Sequence, residues 1–381
     1  MGLSTRVLLI IDELDIGGTE QQIVELVRCM PMERYRPIVC CFRYGRKAEE
    51  IEALGVKVIH LRKERRVDLT LVLALARLMR SENVGIVHTF LIGANLWGRL
   101  AALLARVPII IASERNVDIW EEALKLRTGR MLARVTNAIV ANAEAVRTYL
   151  IARGVAAARV VTIRNGVNTT RFDGPLDRAA VRQSLGVRPD EILAAVIARL
   201  EPQKGHATVI EAAARLRGQH PQLRFLFVGG GSMQDLLPAM AERLGVRERV
   251  VFTGFRTDSA DLIRAADLSV LTSTKEGLSN TLLESLAAGR PVIASAVGGN
   301  PEVVTPDVGI LVPPRDPDAL ANALHRILSD RVAAERMGNR GRQRIRHEFS
   351  VARMVSETTA LYDTLLGIVP VTSPASWGMA S

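Results

Sequence analysis

Short runs of apolar residues alternate along the whole chain with longer segments in which apolar residues recur at helical spacing. The short runs are rich in Val, Ile and Leu, as in strands of a parallel sheet that helices cover on both sides. Predicted strands lie at 6–11, 36–42, 56–60, 84–90, 107–113, 137–142, 192–199, 223–230, 249–254, 268–273, 291–295 and 308–313. Two such series predict an α/β protein with two Rossmann-like, doubly wound parallel-sheet domains that face each other across a cleft.

The domain boundary is predicted where this pattern is interrupted. Gly, Asn, Asp and Pro cluster at 160–178, which favours a loop or hinge. We therefore expect an N-terminal domain at 1–168 and a C-terminal domain at 169–347. A last helix within 348–367 has no strand to follow in the second series and is expected to cross back to the first domain. The tail, 368–381, is expected to be loose.

Length and composition agree with this architecture and exclude several classes. A chain of 381 residues is too long for one ordinary core, and 48% hydrophobic with 24% charged residues is typical of a soluble globular protein. The three cysteines have no CxxC spacing, which predicts a reducing compartment and no zinc site. No signal peptide and no window of 18 apolar residues is visible, so we expect a cytoplasmic protein.

The formal net charge of +10 requires an explanation. It favours an anionic partner, which could be nucleic acid, anionic lipid or an acidic small substrate. Alternatively, the excess of arginine reflects a GC-rich genome. Aromatic residues make up only 4% of the chain, which argues against stacking on single-stranded nucleic acid.

Two glutamates, Glu276 and Glu284, flank a turn and the start of a predicted helix. Glu276 follows a strand, and ligands of open sheets bind beyond the carboxyl ends of the strands. The backbone N–H groups of the turn and the positive end of the helix suit a phosphate, and a carboxylate at 284 suits the two vicinal hydroxyls of a ribose. The turn residues are Gly277, Leu278, Ser279 and Asn280. The stretch therefore predicts a site for a nucleotide diphosphate with an attached polyol.

Two cations and several strand-end residues support this site. Arg199 follows a strand and Lys204 comes five residues later, so both can stabilise a diphosphate leaving group without a metal ion. Glycines at strand ends allow close approach of the backbone to a ligand, or simply a tight turn. The further candidate donor contacts are Gly17, Gly18, Gly230, Phe255 and Arg256.

Taken together, these motifs resemble the retaining glycosyltransferases of the GT4 family, which have the GT-B fold. EGLSNTLLE at 276–284 is similar to the E-x7-E signature of the family, and ARLEPQKG to its R-x4-K motif. IRNGVN at 163–168 resembles the interdomain Asn-Gly turn, and GGTE the glycine loop after the first strand. The resemblance extends over about 5–365 of the chain.

The resemblance implies roles for these residues. Arg199 and Lys204 contact the diphosphate of the donor, Glu284 holds the ribose, and Glu276 lies near the hydroxyls of the sugar. We therefore expect a hexosyl- or N-acetylhexosaminyltransferase that retains configuration, with Arg199, Lys204 and Glu276 as the catalytic group. No metal and no other cofactor is expected, and a UDP-sugar is favoured over a GDP-sugar. The acceptor is expected to be a glycan or a lipid-linked sugar in polysaccharide or glycolipid biosynthesis.

The chain departs from the family at two places. Many relatives have Phe-Pro where this chain has Leu278 and Ser279, and many have a histidine where it reads Ser-Glu-Arg-Asn at 113–116. Glu114 or Arg115 are candidate replacements for that histidine on the acceptor side. His88, at the end of the preceding strand, either reaches the cleft as an acceptor-side residue or is a satisfied structural histidine.

A basic amphipathic helix is predicted at 120–136, beginning at Trp120. It carries Arg127, Arg130 and Arg134 on one stripe, and Leu124, Met131 and Val135 on an apolar stripe beside it. Such a helix either binds an anionic membrane surface or packs on the sheet with a solvated basic edge. The first interpretation predicts a lipid-linked acceptor and a peripheral location on the inner face of the plasma membrane.

Three other functions stay open on the sequence alone. A nucleotide-sugar epimerase of the same fold would turn over donor without an acceptor. A catalytically silent nucleotide-binding scaffold would keep the fold, although the intact motifs argue against it. A nucleic-acid binder is motivated by charge alone, and specific binding of nucleic acid is not expected.

Overall fold

The computed structural model describes residues 4–65, 67–117 and 123–368, without the side chains of 123–125. The chain divides into two compact units. One consists of residues 1–166 together with 351–381, and the other of residues 167–350. The units therefore divide at 166/167 and 350/351, where the sequence predicts 168/169 and 347/348.

Seven parallel strands form the sheet of the first unit, in the order β3-β2-β1-β4-β5-β6-β7. They are β1 (Thr5–Glu13), β2 (Tyr35–Arg43), β3 (Lys57–His60), β4 (Ile86–Phe90), β5 (Ile109–Glu114), β6 (Ala138–Ala141) and β7 (Val160–Thr162). The prediction of a loop at 160–178 is wrong at its start, because β7 pairs there with β6. A three-residue edge strand is too short to produce a recognisable hydrophobic pattern.

Helices cover both sides of this sheet. They are α1 (Gly18–Cys29), α2 (Arg46–Ala53), α3 (Leu69–Ser81), α4 (Ile92–Ala105), α5 (Ala123–Ala133) and α6 (Glu144–Ala152). Alternate residues of a strand point to opposite faces. Accordingly, α3 and α4 share a core with Leu8 and Ile10, whereas α1 and α2 share a separate core with Val7 and Leu9.

Six parallel strands form the sheet of the second unit, in the order β10-β9-β8-β11-β12-β13. The strands are β8 (Ile192–Ile197), β9 (Leu223–Val228), β10 (Val250–Phe252), β11 (Leu268–Leu271), β12 (Val292–Ser295) and β13 (Gly309–Val312). The helices are α7 (Arg178–Ser184), α8 (His206–Arg215), α9 (Leu236–Arg243), α10 (Ser259–Ala265), α11 (Asn280–Ala287), α12 (Asn300–Val303), α13 (Pro317–Ser329) and α14 (Arg331–Glu348). Two all-parallel sheets with helices confirm the predicted α/β class with two Rossmann-like domains.

The last helix, α15 (Val351–Leu365), belongs to the first unit. The hydroxyl of Tyr362 lies 2.8 Å from Nδ1 of the buried His88. The carboxylate of Asp363 accepts a hydrogen bond of 2.5 Å from the hydroxyl of Tyr35. These buried polar contacts and the apolar residues of α15 in the core of the first unit hold the helix on the sheet. Residues 369–381 of the predicted tail lie outside the described residues.

Close packing of α14 fixes the position of α11 in the second unit. A Cβ atom on Gly338 would overlap the carbonyl oxygen of Gly289, and one on Gly341 would meet the side chain of Leu286 at 2.5 Å. The two glycines, three residues apart, therefore allow α14 to approach α11 closely. The position of α11 matters because this helix carries Glu284.

Candidate functional site

Two loops at the carboxyl edge of the second sheet are hydrogen-bonded to each other. Because β8 and β11 are neighbouring parallel strands, the loops that follow them emerge side by side. The backbone N–H of Thr274 donates to the carbonyl of Gln203 at 2.8 Å, and the side-chain amide of Gln203 donates to the carbonyl of Lys275 at 2.9 Å. The hydroxyl of Thr272 donates to the carbonyl of Gly205 at 2.8 Å. Gly205 has a left-handed backbone, with φ of 68°, and a Cβ atom there would overlap the Thr272 carbonyl.

This connection brings Lys204 into contact with Glu276. Nζ of Lys204 lies 2.5 Å from Oε1 of Glu276, and the two side chains keep only 19% and 10% of their exposure. The residues are 72 positions apart in the chain. Removing one partner of such a buried pair leaves an uncompensated charge, so each residue holds the other in place. Arg199, the other predicted cation, is exposed two residues after the end of β8.

The third predicted group, Glu284, lies on α11. The helix begins after Ser279, whose hydroxyl accepts a hydrogen bond from the backbone N–H of Leu282 at 3.4 Å. This N-cap satisfies one backbone N–H of the first turn and fixes the start of the helix four residues after Glu276. Glu284, in the second turn of this helix, keeps 18% of its side-chain exposure.

Arg171, which the sequence analysis missed, lies beside Glu284. Its guanidinium Nη1 is 3.5 Å from Oε1 of Glu284. The short 3₁₀ turn that carries it, Thr169–Phe172, is held through the next residue, because Asp173 accepts hydrogen bonds from Arg342 at 2.5 Å and Arg346 at 2.8 Å. A lone arginine after an Asn-Gly turn gives no sequence signal for this contact.

Gly298 and Gly299 pack against the backbone of the loop that carries Glu276. The sequence did not predict this contact. Gly298 has φ of 52°, and a Cβ atom there would overlap the carbonyl oxygen of Glu276. The N–H of Gly299 donates to the carbonyl of Gly277 at 2.7 Å. Two adjacent glycines after the strand β12 were the available signal, since such pairs often permit close backbone approach.

The remaining donor candidates in the second unit differ in how they are held. The φ angles of Gly229 and Gly231 lie in the left-handed region and the Cβ position of each is blocked by backbone, whereas a Cβ on Gly230 would meet nothing within 4 Å. Phe255 is exposed after β10, and the guanidinium of Arg256 forms a bidentate pair with Asp258 at 2.6 and 2.8 Å. Leu278 and Ser279 are buried, while Asn280 is half-buried at the start of α11.

Gly17 and Gly18 lie at the start of α1 in the first unit. Gly17 is the N-cap, and a Cβ atom there would overlap the carboxylate of Glu20 from the same helix. Glu20 is buried, and an acid in the first turn is favourable near the positive end of the helix. A side chain at position 17 would therefore displace the carboxylate of Glu20 from its place at the start of α1.

The structure corrects the acceptor-side assignment of His88. The ring is only 2% exposed, and its nitrogens lie 2.8 Å from the hydroxyls of Tyr362 and Ser113. Both nitrogens are therefore used inside the first unit, and the structural interpretation is the correct one.

Glu114 ends β5, the strand next to the one that carries His88, and Arg115 follows it. The two residues have different surroundings. Glu114 is buried and interacts electrostatically with the buried Arg99. Arg115 donates a hydrogen bond of 2.5 Å to the side chain of Asn165, and burial lowers the pKa of its guanidinium to about 10. The amide of Gln22 exchanges two hydrogen bonds, of 2.9 and 2.8 Å, with the backbone of Gly166. Arg115 thus helps to anchor the Asn-Gly turn.

The basic helix predicted at 120–136 forms α5 from Ala123 onward, and Trp120 lies outside the described residues. Its three arginines, Arg127, Arg130 and Arg134, are exposed. Met131 and Val135 of the predicted apolar stripe are exposed as well, whereas Leu132 and Ala133 are buried. Met131 and Val135 therefore face solvent, while the side chain of Leu124, the third residue of the stripe, lies outside the described part of the chain.

The described ranges, 4–65, 67–117 and 123–368, contain neither a metal-binding cluster nor a membrane-spanning helix. No group of three or more His, Cys, Asp or Glu side chains in those ranges could hold a metal ion. No described helix has the length and apolar character needed to cross a bilayer.

The sequence matches two family models that together cover most of the chain. Residues 16–171 match "Glycosyltransferase Family 4", and residues 177–344 match "Glycosyl transferases group 1". Among curated proteins, an uncharacterized glycosyltransferase of Methanocaldococcus jannaschii is 34% identical over 210 residues, 54% of this chain and 54% of the relative. The chain thus matches only about half the length of that relative.

Two further relatives cover more of the chain. The UDP-Gal:alpha-D-GlcNAc-diphosphoundecaprenol alpha-1,3-galactosyltransferase of Escherichia coli is 26% identical over 310 residues, 77% of this chain and 79% of the relative. The structure of HepE from Anabaena in complex with UDP and glucose has a TM-score of 0.84 and 25% identity, and covers 94% of this chain and 99% of HepE. This similarity confirms the GT-B fold.

We expect the protein to lose stability as the pH falls below about 6.5, the ordinary pKa of histidine. Burial lowers the pKa of His88 to about 3 and that of His206 to about 4. Between those values and 6.5 only the unfolded chain takes up the protons, which lowers the free energy of unfolding by up to about 1.4 kcal/mol per pH unit for each histidine. Urea unfolding at pH 8, 6.5 and 5 measures this slope.

His206→Phe provides the matched variant for this experiment. Neither ring nitrogen of His206 has a hydrogen-bond partner within the described part of the chain, and the ring packs edge-on against Phe227. The phenylalanine should therefore keep the packing and reduce the pH dependence. An unchanged slope would show that His206 does not contribute to it.

We expect Gly298→Ala to destabilise the second unit more than Gly186→Ala. Both glycines have a left-handed φ, which costs about 1 kcal/mol for alanine, but only at 298 does the Cβ overlap a carbonyl. The overlap should add about 1–3 kcal/mol and expose the 272–284 segment. Chemical denaturation and hydrogen–deuterium exchange of that segment measure the two effects, and equal losses in both variants would contradict the supporting role of Gly298.

Proposed function

Because the chain belongs to the GT4-type glycosyltransferases, we propose that it transfers a sugar from a nucleotide-diphosphate sugar to a glycan or lipid-linked acceptor. The proposal extends to a UDP-sugar as donor, to retention of the anomeric configuration, and to independence of metal ions. The observation that carries it is the contact between Lys204 and Glu276, which joins the R-x4-K and E-x7-E motifs at one sheet edge. The complexes of HepE with UDP and with UDP-glucose support a uridine nucleotide.

The proposed donor site uses the N-terminal end of α11 and the cations of the neighbouring loops. The first turn of α11 presents backbone N–H groups and a positive dipole to the diphosphate. Glu284 accepts hydrogen bonds from the ribose hydroxyls, and Arg171 orients its carboxylate. Glu276 lies near the hydroxyls of the transferred sugar. A carboxylate so close to a diphosphate would repel it, and the ammonium of Lys204 offsets that repulsion.

The chemical step needs positive charge where the leaving group forms. As the bond from the anomeric carbon to the β-phosphate oxygen breaks, negative charge accumulates on the leaving diphosphate. Lys204 and Arg199 stabilise that charge. The acceptor hydroxyl attacks the face that the phosphate leaves, and its proton passes to a phosphate oxygen, so configuration is retained. Lys204 is held by Glu276 before the reaction, which reduces the reorganisation needed in the transition state.

The proposal also includes a lipid-linked acceptor and a location at the membrane. The name of the E. coli relative specifies a diphosphoundecaprenol-linked acceptor, which supports a lipid-linked substrate for this chain. The exposed arginines of α5 and the exposed Met131 and Val135 support contact with an anionic membrane. We therefore propose a cytoplasmic enzyme, peripheral on the inner face of the plasma membrane, in polysaccharide or glycolipid biosynthesis.

We expect Glu284→Ala to weaken nucleotide binding and Lys204→Ala to lower turnover. At a hundredfold excess over Kd, a bound nucleotide stabilises the protein by about 2.7 kcal/mol, which a thermal-shift panel of UDP, GDP, ADP and TDP detects. UDP should stabilise the wild type and the control Glu335→Ala, an exposed acid on α14, but not Glu284→Ala. Lys204→Ala should lower kcat about 100-fold, with partial rescue by Lys204→Arg.

Wild-type UDP binding by Glu284→Ala, together with wild-type turnover by Lys204→Ala, would remove the donor-site assignment. Stabilisation by a nucleotide other than UDP would keep the site and change the donor. The first outcome tests where the nucleotide binds, and the second tests which nucleobase the site prefers.

Retention and independence of metal can be measured in one assay. We expect early-time proton NMR of the product to show the anomeric configuration of the donor, and the rate to be the same with and without EDTA. An inverted product would contradict the proposed step, and a rate restored by added Mg²⁺ or Mn²⁺ would contradict metal independence. Conversion of the donor without any acceptor would indicate an epimerase.

A further inference from the structure

Three adjacent helices of the first unit contain no acidic residue. The segments 69–81, 92–106 and 123–136 correspond to α3, α4 and α5 with the residues that follow the last two. α3 packs against α4, and α4 contacts α5, where Arg99 donates to the hydroxyl of Thr136 at 3.3 Å. The cations of these segments are Arg77, Arg80, Arg99, Arg106, Lys125, Arg127, Arg130 and Arg134. Of these, Arg99 is buried and the arginines at the other six positions are exposed.

The outer side of the same helices is apolar. On α4 an apolar stripe runs through Ile92, Leu96, Leu100 and Leu103, at spacings of about one helical turn. Ile92 and Leu103 are exposed, and Leu96 and Leu100 are half-buried with part of each side chain packed on the core. On α3, Leu69 is 69% exposed and Leu73 is also exposed. On α5, Met131 is 59% exposed beside Val135. We call these side chains, together with the exposed arginines of the same three segments, the α3–α5 face.

The opposite side of the same sheet has a different character. α1, α2 and α15 pack there in a separate core. They carry Glu20, Glu25, Glu49, Glu50, Glu52, Glu357 and Asp363. A genome rich in arginine codons would add cations to both sides alike and would not remove the acids from three adjacent helices. The asymmetry is therefore a property of the α3–α5 face.

We propose that the α3–α5 face is the surface by which the first unit docks on an anionic lipid bilayer. This inference rests on the membrane contact proposed above for α5 and extends it to two further helices. Exposed aliphatic stripes enter the boundary between headgroups and acyl chains, while arginines at their border pair with anionic headgroups. The absence of acids removes the repulsion that a negative surface would otherwise cause.

Charge complementarity distinguishes this partner from two others. A second copy of the chain would bring two like-charged faces together, which is unfavourable. Nucleic acid would use the arginines but has no surface for the aliphatic stripe of α4. A negatively charged bilayer uses both features at once.

The test is sedimentation with vesicles of phosphatidylglycerol and phosphatidylcholine, compared with vesicles of phosphatidylcholine alone. The first variant, Leu73→Gln with Leu103→Gln, alters α3 and α4 and leaves α5 intact. The second variant changes Arg127, Arg130 and Arg134 to Ser. The control, Met32→Gln with Leu54→Gln, alters residues of similar exposure outside the face. UDP-induced thermal shift and sedimentation velocity accompany each measurement.

We expect the wild type and the control to bind anionic vesicles much more strongly than neutral ones. The arginine variant should bind about 100-fold more weakly, since each arginine at such a surface contributes about fivefold. The Leu73→Gln, Leu103→Gln variant should bind at least about tenfold more weakly through loss of buried aliphatic surface.

Three results would overturn the proposal. No binding of the wild type to anionic vesicles would exclude membrane docking, and a loss in the arginine variant alone would restrict docking to α5. Conversion of a wild-type dimer to a monomer by Leu73→Gln with Leu103→Gln would identify a second copy as the occupant. Vesicle binding that persists when no nucleotide stabilises the protein would leave the docking proposal standing while the proposed donor chemistry fails.

Discussion

The parallel pairing of β8 with β11 is the constraint on which the candidate donor site depends. It places the loop after Ile197 beside the loop after Leu271. A backbone hydrogen bond between the two loops then fixes their position relative to each other. Only in that arrangement can Nζ of Lys204 reach the carboxylate of Glu276. Both charges are largely removed from water, so neither would be tolerated there without the other. The contact between Lys204 and Glu276 therefore depends on the strand order of the sheet.

The third member of the site depends on helix packing. α11 has only eight residues, which is too short to be stable through intrinsic propensity. Its position comes from the close approach of α14 at Gly338 and Gly341, and from the loops at either end. Since α14 also binds Asp173, the turn that carries Arg171 is held by the same helix that supports Glu284. The orientation of Glu284 is therefore set by packing on two sides, and its own helix contributes little.

The sequence predicts the class of fold and the four charged residues of the site, because these features leave local signals. Strands that helices cover on both sides appear in the sequence as apolar runs. The candidate ligand-binding residues follow closely after such runs. Contacts between distant segments leave no such signal. Arg171 and Gly298 act through partners more than twenty positions away. Nothing near Arg171 in the chain marks its contact, and the glycine pair at 298–299 does not show which segment it supports. His88 shows the reverse error, since a histidine at a strand end resembles a ligand until its buried partners Tyr362 and Ser113 are seen.

The net charge of +10 has two different physical origins in this chain. Many arginines of the second unit are structural: Arg182 pairs with Asp267 and bonds backbone carbonyls, and Arg342 shares Asp173 with Arg346. Such groups are neutralised locally and contribute little field at a distance. The arginines of the α3–α5 face, in contrast, have no acidic neighbour on their own helices. They lie in segments that also carry exposed aliphatic side chains, so the proposed docking on an anionic bilayer depends on this minority of the cations and not on the total.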